Sequence, residues 1–161
     1  MARTETLAHA PAGAVFAVLC DPRCYQRFVA GTKRVRRFDP DWPEPKTTLH
    51  HTVGFGPLAL RDTSVAIALT APTKLTIWPH IRPFVVTESR FELEPRDGRT
   101  LVRLDEYAVD GPLARVWAGP LDWAMGLRNR VLLRRLARLA EHRNAVQQLD
   151  THDVSHGATT P

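Results

Sequence analysis

The chain has 161 residues, a length typical of one domain. Hydrophobic residues make up 43% of it and charged residues 24%, a balance that allows a sizeable core and is ordinary for a soluble protein. The net charge is +5, no apolar run of about 18 residues occurs, and the N-terminus does not resemble a secretory signal, so we expect a cytoplasmic protein without a transmembrane segment.

The N-terminal residues predict one strand followed by two short helices. Residues 4–9 alternate in polarity as a strand does. Pro11 is suited to the start of a helix, because backbone N–H groups in the first turn have no acceptor within the helix and proline lacks one. Asp21-Pro22 ends this helix and starts a second short one. Gly31 ends the unit.

Six further strands are predicted between residues 35 and 109. They span 35–38, 47–53, 58–69, 74–81, 85–94 and 100–109, and the strand 74–81 is expected to break near its proline. The segment 39–45 contains three prolines and is expected to be a loop, and Asp97-Gly98 supplies the positive φ that a hairpin turn needs. Strands joined by short turns pair antiparallel, so the run predicts one antiparallel sheet.

The longest helical pattern begins after Gly119-Pro120 and is expected to end between residues 142 and 149. Residues 150–161 are polar and aperiodic and are expected to form a disordered tail, which leaves 1–149 as a single domain. A long amphipathic helix after such a sheet buries its apolar stripe on the concave face. The predicted fold class is α+β: a curved antiparallel sheet of about seven strands around a long C-terminal helix, with two short helices after the first strand.

Several short segments, in their order and spacing, resemble the START-like (SRPBCC) superfamily, in its polyketide cyclase/dehydrase and lipid-transport branch. They include residues 10–22, 56–62, 94–98 and 111–112, together with Glu106 and Arg128-Asn129, within a stretch from residue 4 to residue 143. The resemblance implies the helix-grip fold and a START-like ligand-binding domain over 1–149 with a hydrophobic cavity. It implies no fixed chemistry, because the members include ligand carriers as well as aromatase/cyclases.

Arg128 is the first candidate for a polar site. At about 100° per residue, it falls in the middle of the apolar stripe of the long helix, between Met125 and Leu132. A guanidinium there is costly unless it is paired or hydrated, and it cannot lose its proton. We therefore expect Arg128 to line a polar pocket, to pair with an acid or to reach the edge of the core.

Glu106 is the acid expected to face it. Alternation along the last strand places Glu106 on the face of Leu104, and the neighbouring strand presents Phe91 on the same side. This is the face that the helix should cover. The sequence therefore predicts a pair of Glu106 and Arg128 beside an apolar wall of Phe91, Leu104, Met125 and Leu132.

Two interpretations of this pair stay open. In the first, it is the polar end of an apolar cavity, where Arg128 binds an anionic or carbonyl oxygen of a ligand and Glu106 orients the ligand or acts as a general base. In the second, it is a structural ion pair that holds the helix on the sheet. A place in a cavity wall does not by itself make the pair catalytic.

Four other residues are weaker candidates for ligand contacts. His51 is expected to point inward from its strand. Arg61 is expected at the rim of the pocket, on the face of the next strand that carries Val65, Ile67 and Leu69. Trp78 and Trp117 are suited to stacking on a flat ligand, although packing in the core or in a lid is the commoner use of tryptophan.

The sequence offers no metal-binding or cofactor motif. Cys20 and Cys24 are too few for a disulfide framework, and no second pair of cysteines or nearby histidine completes a zinc site. His50 and His51 are adjacent on a strand and point to opposite faces, where they cannot bind one metal ion. We therefore expect neither a metal nor a cofactor.

Three functions follow, in order of preference. The first is binding of a hydrophobic or aromatic small molecule, polyketide-like or lipid-like, in an internal cavity. The second is a cyclase/dehydrase-type enzyme that uses Glu106 and Arg128 for acid–base chemistry without a metal. The third is an interaction module that uses basic residues such as Arg130, Arg134 and Arg138, although no recognition motif supports nucleic-acid binding and none is expected. Whether the chain is an enzyme, and its oligomeric state, are left open.

Overall fold

A computed structural model of the chain describes residues 2–54, 57, 59–81, 83–116 and 119–156. The N-terminal unit consists of strand β1 (Ala2–Ala8) and helices α1 (Ala12–Cys20) and α2 (Tyr25–Phe28). The strands that follow are β2 (Thr32–Phe38), β3 (Thr48–Val53), β4 (Leu60–Thr70), β5 (Lys74–Ile81), β6 (Val85–Arg96) and β7 (Arg99–Asp110). A short 3₁₀ helix, Pro112–Val116, leads to the long helix α3 (Pro120–His156).

The seven strands form one antiparallel sheet in the order β1-β7-β6-β5-β4-β3-β2. β1 pairs with β7, with Ala8 opposite Thr100, so β1 and β2 form the two edges of the sheet. The β6–β7 hairpin turns at Asp97 and Gly98, whose φ angles of 46° and 76° are the positive values predicted from the Asp-Gly pair. The predicted α+β fold class, an antiparallel sheet with short helices and a long C-terminal helix, is confirmed.

The inner face of the β6–β7 pair carries the centre of the core. Phe91 lies opposite Leu104 and Leu93 opposite Val102, and all four side chains are buried. Glu106 continues the same face and is 2% exposed. Period-two alternation therefore placed this carboxylate on the correct side of the sheet.

Strand β4 presents the opposite face from the one predicted. Asp62, Ser64 and Ala66 are buried, whereas Arg61 is exposed. A register shift after Ala66 in the β4–β5 pair changes the alternation, so that Leu69 packs against the core with the residues before the shift. The predicted inward position of Arg61 is wrong because alternation cannot be carried through a bulge.

Helix α3 packs against β1, α1 and α2. Its buried side is formed by Leu132, Leu133, Leu136, Ala137 and Ala140. Beyond these residues, Glu141 Oε1 accepts the backbone N–H of His9 at 2.8 Å, and Arg143 Nη2 donates to Asp21 Oδ2 at 3.1 Å. These two contacts fix the helix to the chain on either side of α1.

Helix α3 ends at His156, beyond the predicted end between residues 142 and 149. Residues 150–156 of the expected tail therefore continue the helix, because a stretch without glycine or proline does not interrupt it. Residues 157–161 of the predicted tail lie outside the described residues. Among the helices of the described chain, none is long and apolar enough to cross a membrane.

Candidate functional site

A small cavity lies between the sheet, the two short helices and α3. Its volume is about 20 Å³, room for about one water molecule. The apolar part of the wall is formed by Leu19, Phe28, Val29, Leu75, Ile77, Pro79, Phe91, Leu104 and Leu132. The polar part is formed by Tyr25, Trp42, Ser89, Glu106 and Arg128. The cavity is thus an apolar chamber with several polar groups in its wall.

Glu106 is buried in this wall and accepts hydrogen bonds on both carboxylate oxygens. Oε1 accepts from Thr87 Oγ1 at 3.2 Å and from Ser89 Oγ at 3.3 Å. Oε2 accepts from Arg128 Nη1 at 3.4 Å. The β6–β7 register positions one of these donors, because Ser89 lies directly opposite Glu106. Three donors compensate a charge that would otherwise be costly to bury.

Arg128 reaches the wall from α3 with its side chain 28% exposed. Nη1 donates to Glu106 and, at 3.2 Å, to Asn129 Oδ1. Nε and Nη2 have no acceptor in the described part of the chain. The guanidinium is therefore oriented by two partners and still has donors for an oxygen atom of a ligand or of water.

Asn129 is a buried polar residue that sequence reasoning did not single out as a site residue. It is 0% exposed, and its Nδ2 has no hydrogen-bond acceptor among the described residues. An unsatisfied buried N–H destabilises the fold by about 1–3 kcal/mol. Asn129 thus orients Arg128 through Oδ1 at a cost to stability. Helical periodicity could not predict that Asn129 orients Arg128, because this role depends on a contact between the two side chains.

Tyr25 contributes a second polar group to the wall. Its hydroxyl lies 3.1 Å from Ser64 Oγ, and its ring centroid lies 5.2 Å from that of His51. Burial raises the pKa of Tyr25 to about 12, although the hydrogen bond with Ser64 acts in the opposite direction. The phenol is therefore neutral at physiological pH. The sequence does not indicate it as a site residue, because the apolar ring of a tyrosine fits the core-facing side of a short helix.

His51 is buried, as predicted, but it lies beside Asp62 and does not line the cavity. Its Nε2 is 3.5 Å from Asp62 Oδ2, and its Nδ1 is 3.3 Å from the carbonyl oxygen of Leu49. Arg36 donates to the backbone carbonyl oxygens of His51 and Asp62, each at 3.3 Å. These contacts join β2, β3 and β4. They hold His51 away from the cavity wall, so its predicted contact with a ligand has no support from the structure.

Trp78 lies outside the cavity wall. Its Nε1 donates to Glu88 Oε2 at 2.8 Å, and the Tyr107 hydroxyl and the Arg90 guanidinium also donate to Glu88. Burial alone would raise the pKa of Glu88, but the three hydrogen bonds together hold it below its ordinary value. This hydrogen bond holds the indole outside the cavity wall, and stacking of Trp78 on a ligand stays a prediction.

The remaining predicted residues fall in different places. Phe91, Leu104, Leu132, Glu106 and Arg128 share the cavity wall, and for each of them contact with a ligand stays a prediction. Met125 is half-buried and is not among the residues of the cavity wall. Arg61 is exposed on the outer face. Trp117 lies outside the described residues.

Trp42 is a wall residue that the sequence did not point to. It belongs to the proline-rich segment 39–45, which lies between β2 and β3 as predicted. Its side chain is 8% exposed, and its indole N–H has no acceptor among the described residues. A single tryptophan between prolines carries no periodicity, so its burial could not be predicted.

Neither cysteine has the lowered pKa that is typical of a reactive thiol. Cys20 and Cys24 are free thiols. Burial raises the pKa of Cys20 to about 12 and also raises the pKa of Cys24. Both thiols are therefore protonated at physiological pH. In the part of the chain that the structure describes, no three or more His, Cys, Asp and Glu side chains form a group that could hold a metal ion.

No protein-family model matches the chain, and no curated protein matches it. Solved structures do resemble it. The Zhui aromatase/cyclase from Streptomyces sp. R1128 is 16% identical, with a TM-score of 0.67 over 88% of this chain and 93% of Zhui. The di-domain ARO/CYC StfQ from the steffimycin biosynthetic pathway is 12% identical, with a TM-score of 0.68 over 88% of this chain and 50% of StfQ. Ara h 8.0201 is 11% identical, with a TM-score of 0.65 over 86% of this chain and 95% of that protein.

At these identities the likeness concerns the fold alone. Each likeness covers 86–88% of this chain. The chain therefore has the helix-grip fold, which is the fold that the resemblance in its sequence implied.

Proposed function

We propose that the chain binds a hydrophobic or aromatic small molecule in the cavity and holds an oxygen atom of that molecule with Arg128. The observation that carries the proposal is the position of the Arg128 guanidinium together with its unused hydrogen-bond donors. It lies in the wall of an apolar chamber, it is oriented by Glu106 and Asn129, and its Nε and Nη2 keep no acceptor in the described chain. The shared fold with proteins named aromatase/cyclases supports an aromatic ligand.

The size of the cavity decides which probe should be tried first. A volume of about 20 Å³ is too small for a polyketide or a lipid unless wall side chains move. A single substituted benzene ring requires the least movement. Acetophenone and ethylbenzene form a suitable pair, because they have nearly the same shape and only acetophenone has a carbonyl oxygen.

The test is a titration of both probes followed by NMR spectroscopy. We expect the wild-type protein to bind acetophenone about tenfold more tightly than ethylbenzene, since a hydrogen bond to a charged donor contributes about 1.5 kcal/mol or more. Arg128→Met should remove this preference. Arg130→Met is the matched control, because Arg130 is exposed on the same helix, and it should leave the preference unchanged.

Two outcomes would contradict the proposal. In one, neither probe binds the wild-type protein. In the other, the preference for acetophenone survives in Arg128→Met, which would mean that another group binds the oxygen. Native mass spectrometry of the purified protein would add the identity of any small molecule that remains bound to it.

Acid–base catalysis of the cyclase/dehydrase type is the second candidate. It is favoured by the position of Glu106, whose carboxylate lies in the cavity wall beside Arg128. For a substrate identified by co-purification, Glu106→Gln should keep binding and lose turnover, because the amide cannot accept a proton as the carboxylate does. Undiminished turnover in this variant would exclude Glu106 as the base.

A further inference from the structure

We infer that Trp42 is a second ligand-binding group of the cavity and that its indole N–H takes a hydrogen-bond acceptor of the ligand. The inference rests on the proposed function and deepens it. It describes the ligand as a molecule with an apolar body and two acceptor oxygens, one for Arg128 and one for Trp42. The two residues line the same cavity.

The segment that carries Trp42 is attached to the sheet on both sides. The backbone N–H of Trp42 donates to the carbonyl oxygen of Asp39 at 3.0 Å. The Asp39 carboxylate accepts both the backbone N–H and the hydroxyl of Thr48 at 2.8 Å. On the other side, the Lys46 N–H donates to the carbonyl oxygen of Ala66 at 2.8 Å. The indole is therefore presented by a segment tied to β3 and β4.

The indole N–H lacks the partner that a buried tryptophan ordinarily has. Trp42 is more than nine-tenths buried, and its Nε1 has no acceptor among the described residues. The hydroxyl groups of the wall have partners: Tyr25 contacts Ser64, and Ser89 donates to Glu106. This nitrogen is also shielded from solvent, so an acceptor of the ligand reaches it only as wall side chains move, and it then supplies the partner that the described chain does not.

The polar groups of the wall also indicate which chemistry the ligand should have. Arg128 and Trp42 are donors only, and the carboxylate of Glu106 already accepts three hydrogen bonds. The wall therefore favours acceptors on the ligand over donors. Because Glu106 compensates the charge of Arg128, a neutral carbonyl or ether oxygen suits the site better than an anion.

The experiment compares para-diacetylbenzene with para-ethylacetophenone, which differ by one carbonyl oxygen. We expect the wild-type protein to bind the diketone about fivefold more tightly, the effect of one hydrogen bond. Trp42→Phe should bring the ratio of the two dissociation constants close to unity. Trp123→Phe is the control, because Trp123 is 71% exposed, and it should keep the ratio. In the NMR spectrum, the indole proton of Trp42 should move downfield with the diketone only.

The outcomes separate this inference from the proposed function. Two outcomes would overturn the role of Trp42 and leave the proposed function standing. In one, the monoketone binds through Arg128 and the second carbonyl does not increase the affinity. In the other, the ratio of the two dissociation constants is the same in Trp42→Phe as in the wild type. If neither ketone binds, both are wrong. If Trp42→Phe does not fold, the wild-type indole resonance decides. It is assigned by elimination from phenylalanine variants of the other three tryptophans, and the lack of a downfield shift overturns the inference.

Discussion

The side chains of Glu106 and Arg128 are unequally buried, at 3% and 28% exposure. This difference determines how each responds to the loss of the other. Without Glu106, the guanidinium can turn towards the solvent that it already meets. Without Arg128, the carboxylate keeps only its two hydroxyl donors in a place that water hardly reaches.

We therefore expect Arg128→Met to be the more damaging of two substitutions. It should lower the free energy of unfolding by about 2–4 kcal/mol, because it leaves a buried charge without its cation. Glu106→Gln should lower it by about 1 kcal/mol, since the amide oxygen still accepts from Thr87 and Ser89. Urea denaturation measures both values. The reverse order would show that the carboxylate is better hydrated than its burial indicates.

Some of the candidate site could be predicted residue by residue. Glu106 is a charged residue on the apolar face of a strand, and Arg128 is a charged residue in the apolar stripe of a helix. Local periodicity was therefore enough to place the two on facing elements. Trp42, Tyr25 and Asn129 could not be recognised in this way. Their burial depends on where a loop and neighbouring helices lie in three dimensions, which local patterns do not contain.

Among the elements, strands bounded by turns were the easiest to predict. It was harder to predict which face of a strand points to the core. The β6–β7 hairpin has regular pairing from Thr87 to Arg99, so its inner face followed from alternation. β4 has a register shift after Ala66, and the apolar residues after it indicated the wrong face for Arg61. A single extra residue in a ladder is not visible in a sequence pattern.

Two glycines, one just after β7 and one within α3, should respond oppositely to replacement by alanine. Gly111 follows β7 with a φ of +100°, and a Cβ there would lie 2.6 Å from the carbonyl oxygen of Phe84. Gly111→Ala should destabilise the fold by about 2–4 kcal/mol, because backbone atoms must move and the conformation is strained.

Gly126 in α3 is the matched control. Apart from its chain neighbours and the adjacent helix backbone, no heavy atom lies within 4 Å of its Cβ position, so Gly126→Ala should stabilise the protein by about 0.5–1 kcal/mol through helix propensity. Thermal unfolding of both variants tests the pair. A neutral Gly111→Ala would mean that the turn after β7 relaxes without loss.

The anchoring of α3 gives a truncation test. Residues 145–150 are exposed, whereas Glu141 and Arg143 contact His9 and Asp21. Truncation after residue 144 should lower the free energy of unfolding by about 1 kcal/mol or less. Truncation after residue 140 should lower it by about 2 kcal/mol more than truncation after residue 144. Equal losses in urea denaturation would show that these two contacts do not anchor the helix.

For the whole molecule, the cavity wall is assembled from distant parts of the chain. Tyr25 comes from α2, Trp42 from the segment before β3, Glu106 from β7 and Arg128 from α3. None of these elements holds the polar groups alone, so the site exists only in the folded protein. Stability and the ionisation of the buried groups are therefore linked.

Alkaline pH should expose this linkage. Burial raises the pKa of Tyr25 from 10.0 to about 12 and that of Cys20 from 9.0 to about 12. The unfolded chain therefore releases these protons at lower pH than the folded protein does. Where the unfolded state binds fewer protons than the native state, the free energy of unfolding falls as pH rises. The contribution of both groups is fully present below pH 9.0 and is lost as pH approaches about 12.

We expect the free energy of unfolding to fall by about 1.4 kcal/mol per pH unit for each of the two groups in the range where only the unfolded state is ionised. For Cys20 this fall begins near pH 9.0, and for Tyr25 near pH 10.0. Urea denaturation across this range provides the measurement. Cys20→Ala should flatten the earlier part of the fall and Tyr25→Phe the later part, because each removes one ionising group. A slope that is the same in the wild type and in both variants would mean that neither group keeps its proton in the folded state.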